Sequence, residues 1–242
     1  MSSVDNAARN LGSLSSKGAP GKKKAQSIAE PKKILVIVEN KIYEEAIKQL
    51  LDKCQIRLYN FDIRSAQLSN AKEREKNMLS ELRLSTLENI PYSHVLCIAD
   101  GDDAPSNQFS EILYTLQGQS YNTRGIVLNE NGACFEAPDK PRVGVWIMPN
   151  NKDKGTFADF YLKSALPDNI LMQKIEDVLN NNKKERLVKY KNAYHGAAKF
   201  FTYLAWQKNP SRSDNELFDS KKFNMQNALF LNFKHWLNLV IR

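Results

Sequence analysis

The first sustained apolar run in the chain is ILVIV, Ile34 to Val38, β-branched or aliphatic throughout and cut off by Glu39. A continuous run of that kind is how a strand covered on both faces reads, since no position along it has to meet water. Ile42 to Lys53 then sets Ala46, Ile47, Leu50 and Leu51 on one helical face with charges opposite, so a strand leads directly into a helix. The pattern recurs. IRLYNF, from Ile56, predicts a second strand, and Asn70 to Leu87 a charged helix whose apolar face centres on Met78, Leu79 and Leu82. HVLCIA, His94 to Ala99, predicts a third strand, halted by Asp100, Gly101, Asp102 and Asp103, after which Phe109, Ile112, Leu113 and Leu116 return to helical spacing. GIVL at Gly125 to Leu128 and VGVWIM at Val143 to Met148 predict two further strands. Such alternation across residues 34–166 predicts an α/β domain with a mostly parallel sheet flanked by helices. Over residues 167–242 the periodicity is helical only, in Ile170 to Leu179, Lys183 to Gln207 and Asn224 onward, which predicts a helical extension packed on that domain.

Composition narrows the class. The 242 residues are 42% hydrophobic and 26% charged, enough for one sizeable core. No run approaches the roughly 18 apolar residues of a membrane span, and the N-terminus lacks a signal-like apolar block, so a soluble cytoplasmic protein without membrane partners is expected. Cys54, Cys97 and Cys134, like His94, His195 and His235, lie far apart, which argues against a disulfide framework or a zinc centre. The net charge of +8 is concentrated in two places. Residues 1–33 carry seven basic side chains against two acids and few large apolar residues, and read as a disordered basic tail or solvated linker. Residues 183–212 carry eight basic side chains against one acid, and the remainder is mildly acidic.

The acids of most interest stand at strand ends. In open parallel sheets the crevice for ligands lies outside the carboxyl ends of the strands. Glu39 follows ILVIV, and Asp100 with Asp102 follows HVLCIA. Carboxylates brought together repel one another, and the simplest group to keep them ionised is a hard divalent cation such as Mg²⁺ or Mn²⁺. The same acids also suit a solvated turn and helix cap. No Gly-rich phosphate loop of the Walker or dinucleotide type is present, so ATP and NAD are not implied.

With Glu39 after the first strand and Asp100-Gly101-Asp102 after a later one, the chain resembles the Toprim domain of topoisomerases, bacterial primases, OLD-type nucleases and small-RNA-processing nucleases. More narrowly, Gly144, Trp146, Met148, Pro149, Gly155 and Asp159, with LAWQKNP from Leu204 and HWLNLV from His235, are similar to an uncharacterised family of bacterial and archaeal Toprim-like proteins with a Gly-x-Trp-x-Met-Pro signature. The resemblance spans residues 34–242 and implies phosphodiester hydrolysis or transfer. It implies Asp100 and Asp102 as ligands of Mg²⁺, Glu39 as general acid/base or second ligand, and Asp103 and Asp159 as further ligands. Three positions depart from the pattern: Asn40 stands for a glycine, Tyr43 for an aspartate, and Ala158 beside Asp159 for a glutamate.

In Lys183 to Gln207, Leu187, Tyr190, Tyr194, Ala197, Phe201 and Leu204 recur at helical spacing and predict a buried stripe, with Lys189, Asn192, His195, Gly196 and Lys199 opposite. Lysines and amides on such a ridge can neutralise phosphates without reading sequence, which makes nucleic acid the expected partner. An ordinary solvated helix face has the same pattern. Two functions are therefore expected. One is a Mg²⁺-dependent nuclease or related phosphoryl-transfer enzyme, with defence against mobile elements as a role. The other is a catalytically degenerate Toprim-like module that binds nucleic acid or a partner protein in a larger complex, and a homo-oligomer is a further expected partner state.

Overall fold

The computed structural model describes residues 32–54, 59–65, 71–87, 90–165, 170–190, 194–207, 217–218 and 223–242. Residues 1–31 of the predicted tail, residues 56–58 of the second predicted strand, and Asn192 lie outside them, while Lys32 and Lys33, placed in the tail by the sequence, open the first strand. The alternation becomes β1 (Lys32–Val38), a 3₁₀ turn (Lys41–Tyr43), α1 (Glu44–Lys53), β2 (Tyr59–Ser65), α2 (Ala71–Ser85), β3 (His94–Asp100) and α3 (Pro105–Gln117). After them come β4 (Ala133–Phe135), β5 (Arg142–Met148), α4 (Phe157–Ser164), α5 (Ile170–Lys184), α6 (His195–Ala205) and α7 (Ala228–Val240).

The sheet order is β2-β1-β3-β5-β4, parallel except for β4, which pairs antiparallel with β5. β1 and β3 run side by side at the centre, with Ile34 opposite His94 and Val38 opposite Ile98. Every residue of β3 is buried, as its unbroken apolar reading requires. Side-chain alternation sends Leu35, Ile37, Val95 and Cys97 to one face, where Met78 and Leu82 of α2 and Phe109 and Ile112 of α3 cover them. Ile34, Val36, Leu96 and Ile98 point to the other face, into a larger core with α1, α4, α5, α6 and α7. Pro31–Arg242 forms one compact unit. α7 lies directly on β5: Trp236 and Val240 pack over Gly144, and the Trp236 indole donates to the Ala133 carbonyl of β4.

Two expectations are corrected. Gly125 to Leu128 is not a strand. Gly125 is left-handed (φ +74°), Val127 is 72% exposed, and the outer edge of β5 is already taken by β4. A β-branched run that opens on a left-handed turn and leaves its side chains in solvent stays a loop, because strand propensity records only a fit to a half-buried pleated surface. Nor is Lys183 to Gln207 one helix. α5 ends at Lys184, Arg186 turns left-handed (φ +59°), and the Leu187 N–H reaches back to the Asn182 carbonyl at 2.9 Å. That closing bond satisfies a terminal carbonyl in the usual way of helix ends. α6 then buries Phe200 and Tyr203, while Leu187, Tyr194 and Phe201 of the predicted stripe are exposed.

Candidate active site

Strand order reverses between β1 and β3: β2 lies on one side of β1, and β3 with β5 on the other. Glu39 leaves β1 and Asp100 ends β3 at that crevice, where open α/β sheets take their ligands. The Glu39 N–H continues the ladder to the Ile98 carbonyl at 3.2 Å. Oε2 of its side chain accepts the Asp100 N–H at 3.0 Å and the Gln108 amide of α3 at 3.4 Å. Asp100 turns the other way, and its Oδ1 accepts the Phe157 N–H at the start of α4 at 3.1 Å. By strand alternation the two acids belong to opposite layers, and they become neighbours only because both stand at the sheet's end. Among the described residues no hydrogen bond occupies Oε1 of Glu39 or Oδ2 of Asp100.

Both carboxyls are buried, Glu39 at 3% exposure and Asp100 at 7%. Burial first, then the charges of Asp100 and Asp102, push Glu39 up to about 8 against the Asp100 N–H that opposes them. Burial and then Asp102 push Asp100 up to about 7, opposed by the Phe157 N–H and Arg74. Asp102 is also raised, by burial, with Arg74 opposing and Asp103 adding. Its backbone is left-handed (φ +39°), a conformation aspartate tolerates better than most residues, so the alternation expected through Asp100-Gly101-Asp102 is broken. The turn is held from below: Gly101 and Asp102 both donate to the Gly155 carbonyl at 2.9 Å, and the Gly155 N–H returns a bond to Asp102. Gly101 has no alternative, because a Cβ there would stand 2.5 Å from the Met148 carbonyl oxygen.

The other predicted residues fall differently. Asp103 is exposed and reaches the cluster only through its charge on Asp102. Asp159 does lie near Asp100, but its Oδ2 accepts the Thr156 N–H at 2.8 Å in a capping box that starts α4. Tyr43 lies in the aromatic core, 5.1 Å from Phe157 between ring centres, and Asn40 caps the 3₁₀ turn through the Ile42 N–H. His195 and Lys199 face α5: His195 Nε2 meets Glu176 at 3.0 Å and Lys199 Nζ meets it at 2.7 Å. Gly196 sits so close over Asp159 that a Cβ would overlap Oδ1. This face of α6 is packed rather than a solvated ridge, and among the described residues of the predicted ridge only Lys189, ahead of α6, stands exposed.

Among the described residues, no three His, Cys, Asp or Glu side chains form a group that could enclose a metal ion. Magnesium does not need one, since it is commonly held by one or two carboxylates with waters and substrate phosphates completing its shell. Glu39 and Asp100 with Asp102 beside them fit that demand in donor chemistry, each buried acid keeping an unbonded oxygen.

Two participants carry no signal in the sequence. Arg74, on the first turns of α2, acts electrostatically on Glu39, Asp100 and Asp102 alike, and Gln108 touches Glu39 from α3. In sequence Arg74 is one charge among several in AKEREKN. Only the crossover from β2 back to β3 brings it to the crevice.

The family model described as Protein of unknown function (DUF3226) matches residues 33–242, and the chain belongs to that family. Neither a curated protein nor a solved structure matches it.

Proposed function

We propose that this member of the family is a Mg²⁺- or Mn²⁺-dependent nuclease or a related phosphoryl-transfer enzyme acting on nucleic acid. The observation that carries this reading is the gathering of Glu39 and Asp100, both buried and both resisting ionisation, with Asp102 at the reversal point of an open parallel sheet. A fold keeps such a pair against their mutual repulsion where function needs them. The Toprim-like spacing of Glu39 and Asp100-Gly101-Asp102 supports the same chemistry. A bound Mg²⁺ would supply Lewis-acid polarisation of a phosphoryl oxygen. Glu39, with a pKa of about 8, can hold or release a proton near neutrality, which suits a general acid/base. Asp100 is fixed in orientation by the Phe157 N–H, and Asp102 by the two-way pairing of its backbone with Gly155.

Purified protein incubated with single- and double-stranded DNA and RNA tests the proposal. Cleavage is expected with Mg²⁺ or Mn²⁺, abolished by a chelator and reduced about 100-fold or more by Asp100→Asn or Glu39→Gln. Cleavage absent on every substrate, or indifferent to both substitutions, defeats it. A second reading, a non-catalytic Toprim-like module, is favoured by Tyr43 in the aromatic core and Asp159 in a cap. It predicts salt-sensitive nucleic-acid binding without turnover.

A further inference from the structure

Among the described residues, Arg64 pairs with Glu81, Arg142 with Glu136, Lys163 with Asp153 and Lys199 with Glu176. Arg74 stands apart. Its charge acts on Glu39, Asp100 and Asp102, yet it forms no ion pair or hydrogen bond with any of them. Its Nε is shut off from solvent and has no acceptor among the described residues. The reason it is held there is local. Arg74 and Met78 are four residues apart on α2 and share a face, and Met78 is buried in the core beneath. α2 starts after the carboxyl end of β2, so its first turns stand at the same edge of the sheet as Glu39 and Asp100.

A guanidinium N–H buried without an acceptor costs free energy, on the order of 1–3 kcal/mol. The cheapest remedy, direct pairing with one of three nearby carboxylates, is not taken. The guanidinium and the acids therefore stay unbonded to one another. A ligand that bridges them has to present acceptors to Arg74 and tolerate the carboxylates on its other side. A simple anion fails the second condition through repulsion. A phosphate group accompanied by a hard divalent cation meets both, because its oxygens accept from the guanidinium while others ligate the cation. Arginine also suits the task better than lysine, since its planar fork matches two phosphate oxygens at once.

We infer that Arg74 is the phosphate-binding residue of this site, seating a non-bridging oxygen of a phosphodiester opposite the Glu39–Asp100 pair. The assignment rests on the proposed hydrolase reading for the identity of the anion, and its test does not depend on turnover. Inorganic phosphate is titrated into the full chain in Mg²⁺, followed by calorimetry and by the NMR signal of the Arg74 Nε–H, assigned by its loss in Arg74→Lys. Wild-type protein is expected to bind phosphate and shift that signal. Arg74→Gln should bind phosphate at least about tenfold more weakly and raise the KM for an oligonucleotide by a similar factor, with kcat changed less. Arg74→Lys keeps the charge, is expected at about three- to tenfold weaker, and carries the test where the Gln variant does not fold. Phosphate affinity within about twofold of wild type in the variants overturns the assignment, as does wild-type protein that takes up no phosphate at all. Loss of phosphate binding in Arg74→Gln of a chain that cleaves nothing upholds the anion site and defeats the hydrolase reading alone.

Discussion

Glu39 opposes folding at alkaline pH. Its folded pKa of about 8 lies above the ordinary 4.5, so between those values the unfolded chain gives up a proton that the folded chain retains. Stability therefore falls as pH rises through that window, and Asp100, raised from 3.8 to about 7, acts in the same sense over a lower one. Glu39→Gln keeps an acceptor for the Asp100 N–H and removes the ionisation. In chelator, its Tm is expected to exceed wild type by roughly 3–8 °C at pH 9 and by under about 2 °C at pH 5. Equal shifts at both pH values would mean that the carboxyl is not held in its neutral form. At this scale the sequence was partly legible. Acids after β-branched runs announce themselves, so Glu39, Asp100 and Asp102 could be named in advance. Arg74 and Gln108 could not, because helix surfaces are charged whether or not they face a crevice.

Elements were legible where burial is complete and obscure where it is shared. β1, β3 and β5 follow from their unbroken apolar runs, and α1 and α3 from one apolar face each. The loop at 125–128 was misread because Gly125 turns left-handed and Val127 is left in solvent, which β-propensity alone does not register. α6 was misread because its lysine and histidine face Glu176 of α5, an arrangement no periodicity contains. Lys199 first, and then His195, hold Glu176 down at about 2, against burial. The folded pKa is depressed from 4.5, so this contribution to stability is whole above about 4.5 and disappears as pH falls toward 2. Glu176→Gln should thus lower Tm at pH 6 and lose its effect by pH 2–3, read by calorimetry across that range. The packing of α7 offers a steric test. A Cβ on Gly144 would stand 2.6 Å and 2.8 Å from the two methyl carbons of Val240 and 3.1 Å from Trp236. Gly144→Ala is expected to destabilise by about 1–3 kcal/mol, measured by urea unfolding, and pairing it with Val240→Ala should recover part of that loss.

At the scale of the molecule, the sheet divides the core in two, and the helices after residue 167 complete one half of it. Trp146 on β5 and Trp236 on α7 are both buried there, 5.5 Å apart between ring centres, while Trp206 is 46% exposed. Unfolding of α5–α7 would uncover β5, so tryptophan fluorescence and far-UV circular dichroism should report one coincident transition in urea. A separate early loss of helix would contradict that coupling. The amino-acid order by itself determined the layers. Apolar runs covered on both faces and amphipathic helices between them leave little but an open α/β sheet, because each must hide its hydrophobic surface and only that architecture hides all of it. It also determined that acids would stand at strand ends. Which acids meet, which are consumed as caps, and which distant cation looks across at them were decided by tertiary structure alone. Strand order, helix crossover and the approach of α4 to Asp100 bring together side chains that local periodicity cannot relate, since periodicity records only which face of its own element a residue occupies.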